Sequence, residues 1–135
     1  MIVGTGCDLV PVERLREACL RHPAMLERLF APGERAGAEL LAGRRWERLA
    51  GLFAAKEAAL KALGTGMRVA FRDVEVDHDG AGRPLLRLHR EAAAVAARLG
   101  AAAVHVSISH SGGFAMATVI AETGDPAPRP PRGRR

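Results

Sequence analysis

Aromatic residues are scarce in this chain: it has four Phe, one Trp and no Tyr in 135 residues. Its core must therefore be built from Leu, Val, Ile and Ala, which bury little area per side chain, so self-association would help it. Cysteine is scarce too. Cys7 and Cys19 form neither a CxxC pair nor a zinc-ligand spacing, which excludes a disulfide scaffold and predicts reduced thiols in a cytoplasmic protein. No apolar run approaches the length needed to span a membrane. The N-terminal MIVGTGCD has neither a charged leader nor a long apolar segment, unlike a signal peptide. The length fits one domain of ordinary size.

The formal charge of +5 raises the question of nucleic acid, and its distribution answers against it. Gly124 to Arg135 hold four arginines and one aspartate, +3 of that total, so the body carries only +2. Its arginines are interleaved with Glu and Asp, and no aromatics stand among them to stack bases. The tail GDPAPRPPRGRR has nothing apolar to bury and reads as disordered, leaving residues 1–123 as the folded domain.

Ile2 to Val10 read as a strand containing Gly4 and Gly6, and glycine inside a strand marks a bulge or a close backbone approach. Pro11 ends it. Helices follow over about Val12–Arg21, Met25–Phe30 and from Glu34. The clearest helix runs from about Trp46 to Leu63, where Leu49, Leu52, Phe53, Leu60 and Leu63 recur at helical spacing before the Gly64 stop. Val69 to His78 alternates as a strand, and the Asp79–Gly82 turn feeds a second strand over Leu85–His89. An alanine-rich helix over Arg90–Leu99 precedes a strand through Val104, Val106 and Ile108. Gly112-Gly113 then turns the chain into Phe114–Glu122. The order predicts an α+β fold with a mainly antiparallel sheet.

Three places carry candidate chemistry: Asp8, the pair Glu57 and Lys61, and Ser109-His110-Ser111. Glu57 and Lys61 are i and i+4 and share a helical face with Phe53 and Gly64. Taken alone, a pair so spaced reads first as a solvated salt bridge, Asp8 reads also as a strand terminus, and His110 as a structural histidine. Leu63-Gly64-Thr65-Gly66 adds a loop whose exposed backbone N–H groups suit a phosphate, although no Gly-Lys-Ser/Thr P-loop is present.

Several segments together carry a resemblance. GTGCDLVPVERL, FAAKEAALKALGTG, FRDVEV, the GRP at Gly82–Pro84 and HVSISHS occur in order between Ile2 and about Glu122. They resemble the motifs of the holo-acyl-carrier-protein synthase group of phosphopantetheinyl transferases. The resemblance implies that family's fold, with the sheet packed on the long central helix. It also implies its reaction: transfer of 4'-phosphopantetheine from coenzyme A to a serine of an apo acyl carrier protein. On this reading Asp8 and Glu57 hold Mg²⁺, and Lys61 grips a phosphate. Gly64 and Thr65 line the pantetheine-pyrophosphate region, Arg83 and Pro84 lie near the adenine, and His110 and Ser111 lie near the 3'-phosphate. Arg14 and Arg21 face the acidic carrier protein, and the active sites sit at the junctions of a cytoplasmic homotrimer.

One position departs from the family pattern. Leu52 stands where many relatives have an arginine that contacts a coenzyme A phosphate; Arg44, Arg45 and Arg48 are the candidates to replace it. That departure keeps a second reading in view, a non-catalytic module of the same fold that binds coenzyme A and carrier protein.

Overall fold

The computed structural model describes residues 1–124. Their central element is a helix at Arg45–Leu63 (α4). Alanine and leucine cover most of its circumference, so Leu49, Leu52, Ala54, Ala55, Ala58, Ala59, Leu60 and Leu63 are all buried. A helix apolar nearly all round belongs inside a core. From Leu49 to the end of the helix, only a stripe through Phe53, Glu57 and Lys61 reaches solvent. Gly64, at φ +71°, closes the helix as predicted.

Against α4 lies a three-stranded antiparallel sheet of Ile2–Pro11 (β1), Ala101–Ser111 (β4) and Phe114–Thr123 (β5), in the order β1-β5-β4. Along β5, Ala115, Ala117, Val119 and Ala121 point into the core, while Phe114, Met116 and Ile120 face outward. The close approach expected at Gly4 and Gly6 is present. A Cβ on Gly4 would stand 1.9 Å from the Ala62 carbonyl oxygen, and one on Gly6 would stand 1.9 Å from that of Ala58. Only glycine lets strand and helix backbones meet this closely. Gly112 and Gly113, both at positive φ, make the two-residue turn between β4 and β5.

The remaining elements wrap this unit. Val12–Arg21 (α1), Ala24–Leu29 (α2) and Pro32–Glu39 (α3) precede α4. Val74–His78 (β2) and Pro84–Leu88 (β3) form a separate antiparallel hairpin, and Arg90–Leu99 (α5) leads into β4. All strand pairings described are antiparallel, in agreement with the expected fold class. Among the described residues no helix is long and apolar enough to cross a membrane.

The strand expected from Val69 begins five residues late. Phe71–Asp73 is a 3-10 turn instead, and another at Gly66–Arg68 precedes it. Phe71 stacks on Phe53 with ring centroids 5.3 Å apart, and its carbonyl turns toward Lys56 rather than toward a strand. Asp73 is buried and binds Arg90 at 2.8 Å. Tertiary partners thus override the alternating pattern. The expectation for the tail falls outside the described residues from 125 onward.

Candidate active site

Glu57 and Lys61 emerge on the exposed stripe of α4, and β1 brings Asp8 against them. The Lys61 ammonium donates to the Asp8 Oδ1 at 3.2 Å and to the Cys7 carbonyl at 2.9 Å. Burial pushes the Glu57 carboxyl above the ordinary glutamate range, the Asp8 charge pushes it further, and Lys61 opposes both. Two carboxylates that repel one another across a half-open cleft suit a divalent cation. No group of three or more His, Cys, Asp or Glu side chains gathers at one point among the described residues. A pair of carboxylates fits Mg²⁺, which keeps several waters and takes oxygens from a phosphate substrate.

Asp8 and Glu57 also line a cleft of about 350 Å³ with Pro11, Arg14, Leu15, Met25 and Phe53. Arg14 is thus beside the carboxylates on the exposed face of α1. Arg21 is exposed in the last turn of α1 but does not line that cleft.

Gly64 and Thr65 follow Lys61 directly, yet their backbone is not free for a phosphate. The Gly64 N–H donates to the Lys61 carbonyl at 3.1 Å and the Thr65 N–H to that of Leu60 at 3.2 Å. These bonds satisfy the last carbonyls of the helix. The expectation of exposed N–H groups at these two residues is therefore corrected, because the helix end uses them itself. The two residues line a different cleft, beside Arg68, Val95 and Arg98.

Pro84 and His110 come together in a third cleft with Arg44, Glu47, Arg48, Leu52 and His78. The turn that presents Arg83 and Pro84 is fixed by Asp79, whose Oδ1 accepts from the Ala81 and Arg83 N–H groups at 2.9 Å each. Those bonds hold the Asp79 carboxyl below the ordinary range. Ser111 sits just outside, in a small recess with His110 and Glu47. Leu52 is in the core and 2 % exposed, while Arg44 and Arg48, on the same side of α4, line the cleft it underlies. Arg45 lies over the Trp46 ring at 4.7 Å and is not part of this cleft.

Sequence reasoning missed Glu47, His78 and Lys56. Glu47 meets His110 Nδ1 at 2.5 Å. Arg48 meets His78 Nδ1 at 3.0 Å, and burial followed by the Arg48 charge pushes the His78 pKa down, so the ring accepts from the guanidinium. Nothing in local spacing links residues so far apart in the chain. Lys56 differs in kind: it is wholly buried against Glu34 at 2.8 Å, and burial lowers its pKa against the pull of that carboxylate. Its position among buried alanines was the available signal.

Residues 4–119 match the profile of the 4'-phosphopantetheinyl transferase superfamily. The chain belongs to this superfamily. It is 50 % identical over 125 residues to the holo-[acyl-carrier-protein] synthase of Solidesulfovibrio magneticus, covering 90 % of this chain and 99 % of that one. The synthase of Frankia casuarinae is 46 % identical over 122 residues, covering 90 % and 98 %. The crystal structure of the Neisseria meningitidis synthase superposes with a TM-score of 0.83 at 32 % identity, covering 91 % and 100 %. The Bacillus anthracis synthase, solved in complex with CoA (3',5'-ADP), gives 0.76 at 39 % identity, covering 92 % and 99 %. In this transferase superfamily member, the matched segment contains both the carboxylate pair and the cleft that Pro84 and His110 line.

Proposed function

We propose that this protein transfers 4'-phosphopantetheine from coenzyme A to a serine of an apo acyl carrier protein. The observation that carries the reading is Asp8, which lines one cleft with Glu57 and accepts from Lys61, in a chain belonging to this superfamily. A non-catalytic module has no need of that cluster. The serine oxygen forms its bond to phosphorus as the pyrophosphate bridge breaks, releasing adenosine 3',5'-bisphosphate. Mg²⁺ held by Asp8 and Glu57 would neutralise charge on the bridging phosphates. Lys61 holds a phosphate oxygen as a point charge. Glu57 is the carboxylate placed at the cleft to assist loss of the serine proton.

Pro84, Arg83, His110 and Ser111 receive the nucleotide end, with Arg44 and Arg48 in place of the arginine that Leu52 replaces. Gly64 and Thr65 border the path of the pantetheine arm through their surface rather than through free amides. The nucleotide cleft and the carboxylate cleft share no lining residue in one copy, which supports sites completed between copies. The outward apolar face of Leu9, Phe114, Met116 and Ile120 offers the surface for a homotrimer. Arg14 beside the carboxylates and Arg21 further along α1 suit an acidic carrier protein. A cytoplasmic location agrees with the two unpaired cysteines.

The test is intact mass spectrometry of an apo carrier protein incubated with this protein, coenzyme A and Mg²⁺. A gain of one phosphopantetheine arm is expected, lost with EDTA and lost with Glu57→Gln in a protein that keeps its oligomeric state. Full activity of Glu57→Gln would refute the metal assignment.

A further inference from the structure

Lys56 and Glu34 form a buried ion pair that no step of the transfer uses. The Lys56 Nζ donates to Glu34 Oε1 at 2.8 Å, to the Val74 carbonyl at 2.5 Å and to the Phe71 carbonyl at 3.3 Å. Glu34 Oε1 also accepts from the Ala31 N–H at 2.8 Å, and its Oε2 accepts from the Val76 N–H at 3.0 Å. Each of the three ammonium protons therefore has an acceptor, and both carboxylate oxygens are engaged. These bonds tie α4 to the start of α3, to the turn at Phe71–Asp73 and to β2.

Burying two charges costs a large desolvation penalty, and apolar side chains of similar volume often serve stability as well or better. What the pair supplies and apolar packing does not is direction, since each bond fixes an angle as well as a distance. The beneficiary is next in the chain. Lys56 and Glu57 are adjacent on α4, about 100° apart around its axis. Whatever locks the helix at Lys56 on its buried side sets where Glu57 points on its open side. On that open side Glu57 must face Asp8, whose strand is fixed separately by Gly4 and Gly6.

We propose that the Lys56–Glu34 pair is a positioning device for phosphopantetheine transfer: it fixes the rotation of α4 that turns Glu57 toward Asp8. The proposal rests on the reading of Asp8 and Glu57 as the metal-holding pair. Lys56 and Glu34 touch neither substrate nor metal and act only through the helix.

The test is the double variant Glu34→Gln/Lys56→Met, which removes both charges, keeps similar volume and leaves no lone buried ion. It is compared with the wild type by thermal unfolding, by Mn²⁺ binding in electron paramagnetic resonance, and by steady-state transfer. A cooperative fold is expected, with Mn²⁺ affinity and kcat each falling about tenfold, the size seen when groups that orient metal ligands are lost. KM for coenzyme A should stay within about twofold, because the effect falls on the reacting geometry and not on binding. A folded double variant with wild-type Mn²⁺ affinity and kcat overturns the proposal and leaves the pair a packing element. Should the double variant not fold, Glu34→Asp keeps both charges but shortens the reach, and the same joint fall in Mn²⁺ affinity and kcat is expected. Unchanged values there overturn the proposal equally. Failure of the metal reading looks different: the wild type itself would bind no Mn²⁺ and would transfer the arm in EDTA.

Discussion

Lys56 and Lys61 stand on the same helix and both meet a carboxylate, but their surroundings give the two pairs opposite uses. The Lys56 side chain is 0 % exposed and Lys61 is 51 % exposed. Inside, an ammonium must have every proton accepted, and Glu34 with two carbonyls does so. Outside, Lys61 shares itself between Asp8 and one carbonyl in reach of solvent, where an arriving phosphate can compete for it. Two lysines five residues apart on one helix thus divide between architecture and chemistry according to which side of it they occupy.

The largest expected effect breaks the interior pair. Lys56→Met leaves Glu34 buried without its partner and should cost about 3–5 kcal/mol of stability, read from urea unfolding. A loss below about 1 kcal/mol, the value of an exposed pair, would erase the distinction. Next comes Lys61→Met. It should leave unfolding within about 1 kcal/mol of the wild type while lowering the transfer rate about a hundredfold, as loss of a charge-stabilising donor does. An equal loss of stability would place Lys61 in the architecture after all.

Arg14→Glu tests the exposed face of α1 beside the carboxylates. Reversing a rim charge should lower kcat/KM for the carrier protein about tenfold, with coenzyme A binding unchanged. Equal losses for both substrates would remove Arg14 from the carrier surface. The smallest effect concerns Glu57. In metal-free protein its carboxyl should titrate above the ordinary glutamate range, and Asp8→Asn should lower that value without restoring it fully, since burial is the larger cause. Side-chain carboxyl NMR reads both; an unmoved midpoint would mean the two carboxylates do not sense each other. Because the folded-state pKa is raised, ionised Glu57 opposes folding at neutral pH, and that opposition is relieved as pH falls through the raised value. Affinity for a divalent cation falls over the same interval.

Much of this was legible in the sequence because it depended on local spacing. The i, i+4 relation of Glu57 to Lys61, the Gly64 stop and the Gly112-Gly113 turn each follow from helix or turn geometry over a few residues. Gly4 and Gly6 announced a close approach, though not to which partner. What was not legible depended on contacts across the chain. The strand before Val74 gave way because Phe71 stacks on Phe53 and its carbonyl serves Lys56. Glu47 could not be tied to His110, nor Arg48 to His78, without the fold that brings β4 and β2 beside α4. The amides of Gly64 and Thr65 were misjudged for a different reason: a helix terminus consumes its own nearby donors.

The contact of β1 with α4 through Gly4 and Gly6 has a consequence for how this chain tolerates a core so poor in rings. Main chain rests on main chain there, with the alanine carbonyls of α4 as the seat. The gauge between the strand bearing Asp8 and the helix bearing Glu57 is therefore independent of side-chain bulk. The rotation of the helix is left to its buried side chains, the Lys56–Glu34 pair among them. Adding a single methyl at either glycine would reset it.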